Sequence, residues 1–140
     1  MTDPQLLIRL YQPADEVQVI DLWQRCGLTV PWNDPQQDIQ RKVVFQPSLF
    51  WVGVIDGRIV GTLMAGYEGR RGWINYLGVA PEYRRIGIGR QWMATAEAAL
   101  QELGCPKINL QVRSSNTSVI AFYRSLGFTM DEVVSLGKHL

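Results

Sequence analysis

The fold of this chain is decided by residues 76–92, which read YLGVAPEYRRIGIGRQW. An apolar strand, Tyr76–Val79, is followed by a turn, and the glycine-rich run 84–90 then opens a long helix. Because glycines leave the main chain accessible, the free N–H groups at the helix start can bind an anion. Three basic side chains add positive charge around the same turn: Arg84, Arg85 and Arg90.

Two familiar phosphate-binding loops do not match this turn. A P-loop requires Gly-x-x-x-x-Gly-Lys-[Ser/Thr], and the 140 residues contain no such string. A Rossmann turn requires Gly-x-Gly-x-x-Gly, but Gly87 and Gly89 are followed by Trp92 where the third glycine should stand. Residues 81–85 also separate the strand from the glycines, whereas a Rossmann turn is tight. The turn therefore belongs to another class of anion site.

The periodicity of apolar residues predicts the element order β-α-α-β-β-β-α-β-α-β. Asp34 and Pro35 are typical of a helix N-cap and its first residue, and Asp56-Gly57 is typical of a two-residue hairpin. The predicted strands are residues 6–12, 50–55, 58–67, 73–79, 107–113 and 128–136. The predicted helices end at Gly27, near Gln46, at Gly104 and at Gly127. This order predicts an α+β fold, with a mixed, mostly antiparallel sheet and helices on both faces.

Composition narrows the class of protein further. A length of 140 residues favours one domain, 1–140, and a net charge of +1 argues against a protein that coats nucleic acid. Two cysteines and one histidine make a disulfide framework or a zinc site improbable. No apolar run approaches the roughly 18 residues of a membrane span, and the start lacks a signal-peptide layout. We therefore expect a cytoplasmic protein with no metal and no membrane partner.

A second motif, downstream of the glycine-rich turn, supports the interpretation of that turn. Residues 116–128 read NTSVIAFYRSLGF and follow the turn after one helix and one strand. Arg84-x-x-Gly87-x-Gly89 resembles the coenzyme A pyrophosphate loop of the GNAT superfamily of acyl-CoA-dependent N-acyltransferases, and 116–128 resembles that superfamily's next helix and strand. The segment Gln111–Asn116 is most similar to the enzymes that acetylate the N-terminal alanine of ribosomal proteins.

The resemblance implies a role for each motif, with acetyl-CoA as the acyl donor. The strand end would pair with the pantetheine arm through its main chain and stabilise the oxyanion. Asn116 would contact the same arm, and Tyr123, seven positions later on the helix, would protonate the leaving thiolate. The residues implied in binding through the strand end are Leu77, Gly78 and Val79. Those implied in binding the diphosphate are Arg84, Arg85, Ile86, Gly87, Ile88, Gly89 and Arg90.

The general base of the related enzymes has no counterpart here. Gln111 and Trp73 stand where glutamates serve as base in superfamily members, and Glu68 is the remaining carboxylate that could act through a water. Holding a lysine amine neutral at pH 7 costs about 4–5 kcal/mol, against about 1 kcal/mol for an α-amine of pKa ~7.8. A site without a strong base therefore favours an α-amine or another amine of low pKa.

Other interpretations remain open. Loss of both glutamates is compatible with a non-catalytic coenzyme-A-binding sensor or interaction module. The arginines, together with Arg70 and Arg71, could instead form a small nucleic-acid-binding surface, and Tyr123 could be simple core packing. The acceptor, a small-molecule or peptide amine, is not identified, although the resemblance places Trp32 at the border of its cleft. A homodimer through the last strand is expected only by analogy with the superfamily.

Overall fold

The computed structural model describes residues 5–84 and 87–140, and these form two compact units divided between Leu110 and Gln111. The first unit contains a five-stranded sheet in the order β1-β2-β3-β4-β5, and the second contains one helix. The single domain 1–140 stays a prediction. Arg85 and Ile86, which were predicted to bind the diphosphate, lie outside the described residues.

The structure confirms an α+β fold with a mixed, mostly antiparallel sheet. The pairs β1–β2, β2–β3 and β3–β4 are antiparallel, and β4–β5 is parallel. The strands are β1 (Leu7–Leu10), β2 (Phe50–Ile55), β3 (Arg58–Tyr67), β4 (Gly72–Val79) and β5 (Ile108–Leu110). The helices are α1 (Glu16–Arg25), α2 (Pro35–Val44), α3 (Ile88–Glu102) and α4 (Thr117–Ser125). Short 3-10 turns at 13–15, 47–49 and 81–83 precede α1, β2 and α3.

The helix cap and the hairpin predicted from the sequence are both present. Asp34 Oδ1 accepts hydrogen bonds from the backbone N–H groups of Gln36 (3.0 Å) and Gln37 (3.3 Å), which caps α2. Asp56 (φ +51°) and Gly57 (φ +76°) both adopt the left-handed conformation that a two-residue hairpin requires. These turns fix β2 and β3 at the predicted residues.

Helices cover both faces of the sheet in the first unit. From α1, Trp23 Nε1 donates to Thr62 Oγ1 of β3 at 2.8 Å. From α3, Trp92 lies against the opposite face, where a Cβ built on Gly53 would come within 2.3 Å of its Cη2 atom. A Cβ on Gly61 would come within 3.1 Å of the same ring. Gly53 and Gly61 therefore make room for the Trp92 indole, which is 1 % exposed.

The predicted last strand, 128–136, is wrong: the structure has no strand among these residues, all of which it describes. The alternation of apolar residues is typical of a strand, but a strand exists only where a neighbour supplies hydrogen bonds. Its apolar side chains are mostly exposed, including Met130 (72 %), Val133 (78 %) and Leu136 (91 %). A homodimer through this segment stays a prediction. Of the helices described, none is both long and apolar enough to cross a bilayer.

Candidate functional site

The outer edge of β4 is open over the second half of the strand. β5 pairs with Gly72, Trp73 and Ile74, and no other described strand pairs with β4 on that side. Ala80 donates its N–H to the carbonyl of Val60 at 2.7 Å, towards β3. Because main-chain groups of successive residues point to opposite edges, the preceding residue, Val79, directs its own N–H and carbonyl outwards. An extended ligand can therefore add to this edge as a strand would.

A β-bulge lies within the open half of β4. Thr62 pairs with Gly78 and Met64 pairs with Asn75, so two residues of β4, Tyr76 and Leu77, stand opposite one residue of β3. Tyr76 has a φ of +51°, a left-handed conformation that is uncommon for an aromatic residue and costs about 1–3 kcal/mol. Bulges of this kind re-aim the main chain and are enriched beside active sites.

Contacts from α1, α2 and β3 hold the bulge in this conformation. The Tyr76 ring stacks on Trp23 with centroids 3.8 Å apart, and its hydroxyl donates to Asp38 Oδ2 at 2.6 Å. Thr62 Oγ1 accepts from Trp23 Nε1 and donates to the main-chain carbonyl of Tyr76 at 2.9 Å. Burial, the bond to Asp38 and the charges of Asp38 and Asp34 raise the pKa of Tyr76. The phenol therefore stays neutral and keeps the proton that it donates.

The start of α3 has features that an anion site requires. The N-cap residue is Gly87, which has a φ of +81° and no side chain to cap the first turn, and that turn contains Ile88, Gly89 and Arg90. A Cβ built on Gly87 would meet no described heavy atom within 4 Å. The first N–H groups of a helix have no partner within the helix, and its dipole favours negative charge. The described part of the turn thus fits the diphosphate of coenzyme A.

Arg84 links the helix start to the open edge of β4. Its side chain is exposed, and its Nε atom donates to the carbonyl of Val79 at 3.0 Å. The thiol of Cys26 donates to the same carbonyl at 3.4 Å. An extended ligand that paired with Val79 would compete with Arg84 for this carbonyl, and the guanidinium would then be free to face an anion.

The second unit contains Asn116 and Tyr123 at opposite ends of α4. Asn116 is the exposed N-cap residue, and its side-chain oxygen accepts from Ser118 Oγ at 3.4 Å. Tyr123 is 8 % exposed and makes edge contacts with Phe122 and Phe128, with centroid distances of 5.2 and 5.5 Å. Burial raises the pKa of Tyr123 to about 12, so the phenol is protonated at neutral pH. A protonated phenol is the form that a general acid requires.

The structure gives Glu68 a different environment from that of a general base. Its Oε1 atom accepts from the main-chain N–H groups of Arg70 (2.7 Å) and Arg71 (2.5 Å), and these bonds lower the pKa of the carboxyl. Glu68 follows Leu63, the residue opposite the bulge, by five positions, which is roughly 16 Å along a strand. A base role for Glu68 stays a prediction, and both features weigh against it.

The two positions where related enzymes have glutamates hold no substitute acid. Gln111 is exposed, and its side-chain amide donates to Ser135 Oγ within the second unit. Trp73 is 38 % exposed at the paired end of β4. Within the described ranges, no group of three or more His, Cys, Asp or Glu side chains could hold a metal ion.

Sequence reasoning missed the residues that hold the bulge: Trp23, Asp38, Thr62 and Tyr76. One signal was available, because Thr62 is the single hydroxyl within the apolar run IVGTLMA of β3. Thr62 is 0 % exposed, and a hydroxyl buried in a sheet core must find hydrogen-bond partners. The positive φ of Tyr76 had no signal in the sequence, since it depends on contacts from distant elements.

An α+β fold with an unpaired strand edge, a bulge and a glycine before the next helix is the class of structure that the sequence resemblance implies. A family model described as the acetyltransferase (GNAT) family matches residues 16–128. The acetyltransferase SG1711 of Sodalis glossinidius is 48 % identical over 134 residues, which cover 95 % of this chain and 94 % of the relative. The chain belongs to the GNAT acetyltransferase family and is an acyl-CoA-dependent N-acyltransferase.

Solved structures agree with this assignment. Ard1 from Thermoplasma volcanium superposes with a TM-score of 0.81 at 26 % identity, covering 90 % of this chain and 84 % of that one. The ribosomal-protein-S18-alanine N-acetyltransferase from Escherichia coli superposes with a TM-score of 0.74 at 23 % identity, covering 89 % and 78 %. At 23 % identity, the similarity to the Escherichia coli enzyme shows a shared fold. The resemblance to the GNAT superfamily seen in the sequence is confirmed.

Proposed function

We propose that this chain transfers an acetyl group from acetyl-CoA to a neutral primary amine by direct attack, and that it favours an α-amine over a lysine side chain. The observation that carries the proposal is the open edge of β4, with its bulge at Tyr76 and the uncapped helix start at Gly87. This arrangement suits a thioester that lies along the strand and a diphosphate that lies on the helix.

In this proposal the donor is held mainly by main-chain groups. The pantetheine arm adds to the outer edge of β4 at Leu77, Gly78 and Val79, and the diphosphate accepts from the amides at the start of α3. Each such contact to a helix start contributes only about 0.3–1 kcal/mol, so several must act together. Arg84, once displaced from the Val79 carbonyl, and Arg90 supply the positive charge. Asn116 contacts the pantetheine arm.

The reaction proceeds in one displacement. The amine nitrogen attacks the thioester carbonyl carbon, and N–H groups of the strand end stabilise the oxyanion that forms. The carbon–sulfur bond then breaks, and Tyr123 donates its proton to the coenzyme A thiolate. The amine nitrogen loses its extra proton to water, and the Tyr123 phenolate regains a proton from water. No covalent acyl-cysteine forms in this scheme.

The preference for an α-amine follows from the missing carboxylate base. At pH 7 a lysine amine of pKa ~10.4 must be neutralised at a cost of about 4–5 kcal/mol, whereas an α-amine of pKa ~7.8 costs about 1 kcal/mol. Neither Gln111 nor Trp73 can take a proton, and the pKa of Glu68 is lowered by its turn. Without help from a base, the acceptor with the lower pKa reacts faster.

Release of free thiol from acetyl-CoA tests the proposal with two matched peptides. One peptide has a free N-terminal alanine and no lysine, and the other is N-terminally blocked and contains one lysine. We expect faster thiol release with the free α-amine at pH 7. Faster acetylation of the lysine peptide would contradict the acceptor preference. Free amino acids, polyamines and aminoglycosides complete the set, and heat on acetyl-CoA titration with no thiol release from any amine would identify a coenzyme-A-binding module instead.

A further inference from the structure

Thr62 joins both helical layers to the sheet beside the bulge. Its hydroxyl accepts from Trp23 Nε1 of α1, and its main-chain carbonyl accepts from Trp92 Nε1 of α3 at 2.6 Å. The same hydroxyl donates to the carbonyl of Tyr76. All three of Trp23, Trp92 and Thr62 are at most 1 % exposed. Thr62 therefore accepts a hydrogen bond from a tryptophan on each face of the sheet and donates one to the bulge.

Tyr76 is held at both ends, by its main-chain carbonyl and by its side chain. The ring is stacked on Trp23 at 13° between planes, and the hydroxyl is bonded to Asp38 of α2. Asp38 also accepts from Arg41 Nη1 at 3.3 Å, so its carboxylate has a second partner. A left-handed tyrosine persists only where its surroundings over-determine it, and these contacts supply that restraint.

The direction of the main chain after Tyr76 depends on this restraint. The residues that follow are Leu77, Gly78 and Val79, and in the proposed reaction the N–H groups of this strand end that point to the outer edge face the thioester. A donor displaced by a fraction of an ångström from a developing oxyanion loses much of its effect, because such stabilisation depends on fixed geometry. Loss of restraint at Tyr76 would thus reduce stabilisation of the transition state more than it reduces binding of the donor, because the donor contacts are spread over the strand and the helix start.

We propose that Thr62, Trp23 and Tyr76 are positioning residues that hold the bulge main chain in register with the thioester carbonyl, with Asp38 fixing the Tyr76 ring. None of the four touches the reacting atoms in this assignment. The inference rests on the proposed function, since the geometry matters only where an acyl group is transferred.

Two pairs of variants test the assignment in the full chain. Thr62→Val keeps the shape of the side chain and removes both hydroxyl bonds, whereas Thr62→Ser keeps the hydroxyl. Tyr76→Phe removes only the bond to Asp38. Tyr67→Phe is the matched control, because the Tyr67 hydroxyl donates to Gly69 at the far end of the hairpin.

We expect Thr62→Val to lower kcat about tenfold and Tyr76→Phe to lower it about threefold, with the KM for acetyl-CoA within twofold of the parent. Thr62→Ser is expected to restore most of the turnover, and Tyr67→Phe to leave it unchanged. Retained kcat in Thr62→Val, or an equal loss in Tyr67→Phe, would overturn the assignment. So would a loss that Thr62→Ser fails to restore.

Amide hydrogen exchange separates this inference from the proposed function, because it needs no turnover. In Tyr76→Phe and Thr62→Val, exchange at Gly78, which pairs with Thr62 of β3, is expected to be several-fold faster than in the parent, while α1 and α3 keep their protection. Unchanged exchange at Gly78 would refute the positioning role even in an active enzyme. A parent protein that releases no thiol with any amine would refute the proposed function, and the catalytic part of this inference with it.

Discussion

Gly53→Ala should disrupt the joint between α3 and the sheet. The added Cβ would lie 2.3 Å from Cη2 and 2.9 Å from Cζ3 of Trp92, closer than atoms in folded proteins approach, and 3.0 Å from Leu6. The indole cannot turn away freely, because it is 1 % exposed and its Nε1 atom donates to the carbonyl of Thr62 at 2.6 Å. The backbone of β2 or the whole Trp92 side chain must therefore shift.

The expected loss of stability combines two effects. Overpacking of a core costs about 1–3 kcal/mol, and weakening of one buried hydrogen bond costs about 0.5–1.5 kcal/mol. We therefore expect Gly53→Ala to lower the free energy of unfolding by about 2–4 kcal/mol. Urea unfolding at 25 °C measures this value directly.

Gly137→Ala is the matched control for Gly53→Ala. A Cβ at Gly137 would meet nothing within 4 Å, so the same chemical change should alter the free energy of unfolding by less than about 0.5 kcal/mol. If the two variants were equally stable, or if Gly53→Ala matched the parent, the packing of Trp92 into the glycine gap would be refuted.

Three further predictions concern chemistry and charge. Tyr123→Phe should lower turnover at least tenfold while isothermal titration shows unchanged coenzyme A affinity, and equal turnover would reduce Tyr123 to a packing residue. Glu68→Gln should keep turnover on an α-amine within about twofold, since turn amides already lower the pKa of the carboxyl. A large loss of turnover at neutral pH would instead make Glu68 the base. Asp15→Asn should lower the free energy of unfolding at pH 7 by about 1–3 kcal/mol, because the bidentate bonds from Arg9 (2.8 and 3.0 Å) lose their charge. Those bonds also lower the pKa of Asp15, so its contribution is complete above the unfolded value of about 3.9 and is lost as pH falls through the folded value. The difference between Asp15→Asn and the parent should thus shrink below about pH 4, and a difference independent of pH would contradict the ion pair as its source.

The parts of the fold that the sequence predicts well are those set by short-range geometry. Asp34 caps the helix that follows it, Asp56-Gly57 forms the hairpin, and Gly27 and Gly104 take positive φ angles where α1 and α3 end. Each of these outcomes depends on a few adjacent residues, so the pattern alone is sufficient. Gly87, before α3, likewise takes a positive φ of +81°.

The parts that could not be predicted depend on long-range partners. Residues 128–136 alternate as a strand does, but alternation cannot say whether another strand lies beside them. The bulge at Tyr76 opposes the local preference of an aromatic residue and exists because Trp23, Thr62 and Asp38 meet there, from elements 14 to 53 positions away. The family pattern predicts which residues take part in catalysis. It does not predict the contacts that restrain the main chain at Tyr76, because these form only when the sheet and helices are assembled.

The most direct test of the account is a crystal structure of the full chain with coenzyme A. We expect the pantetheine arm to pair with the main chain of Val79 at the outer edge of β4, and the diphosphate to accept from the amides of Ile88, Gly89 and Arg90. Arg84 should have left the Val79 carbonyl. Coenzyme A bound elsewhere, with the β4 edge and the helix start both unoccupied, would contradict the central claim.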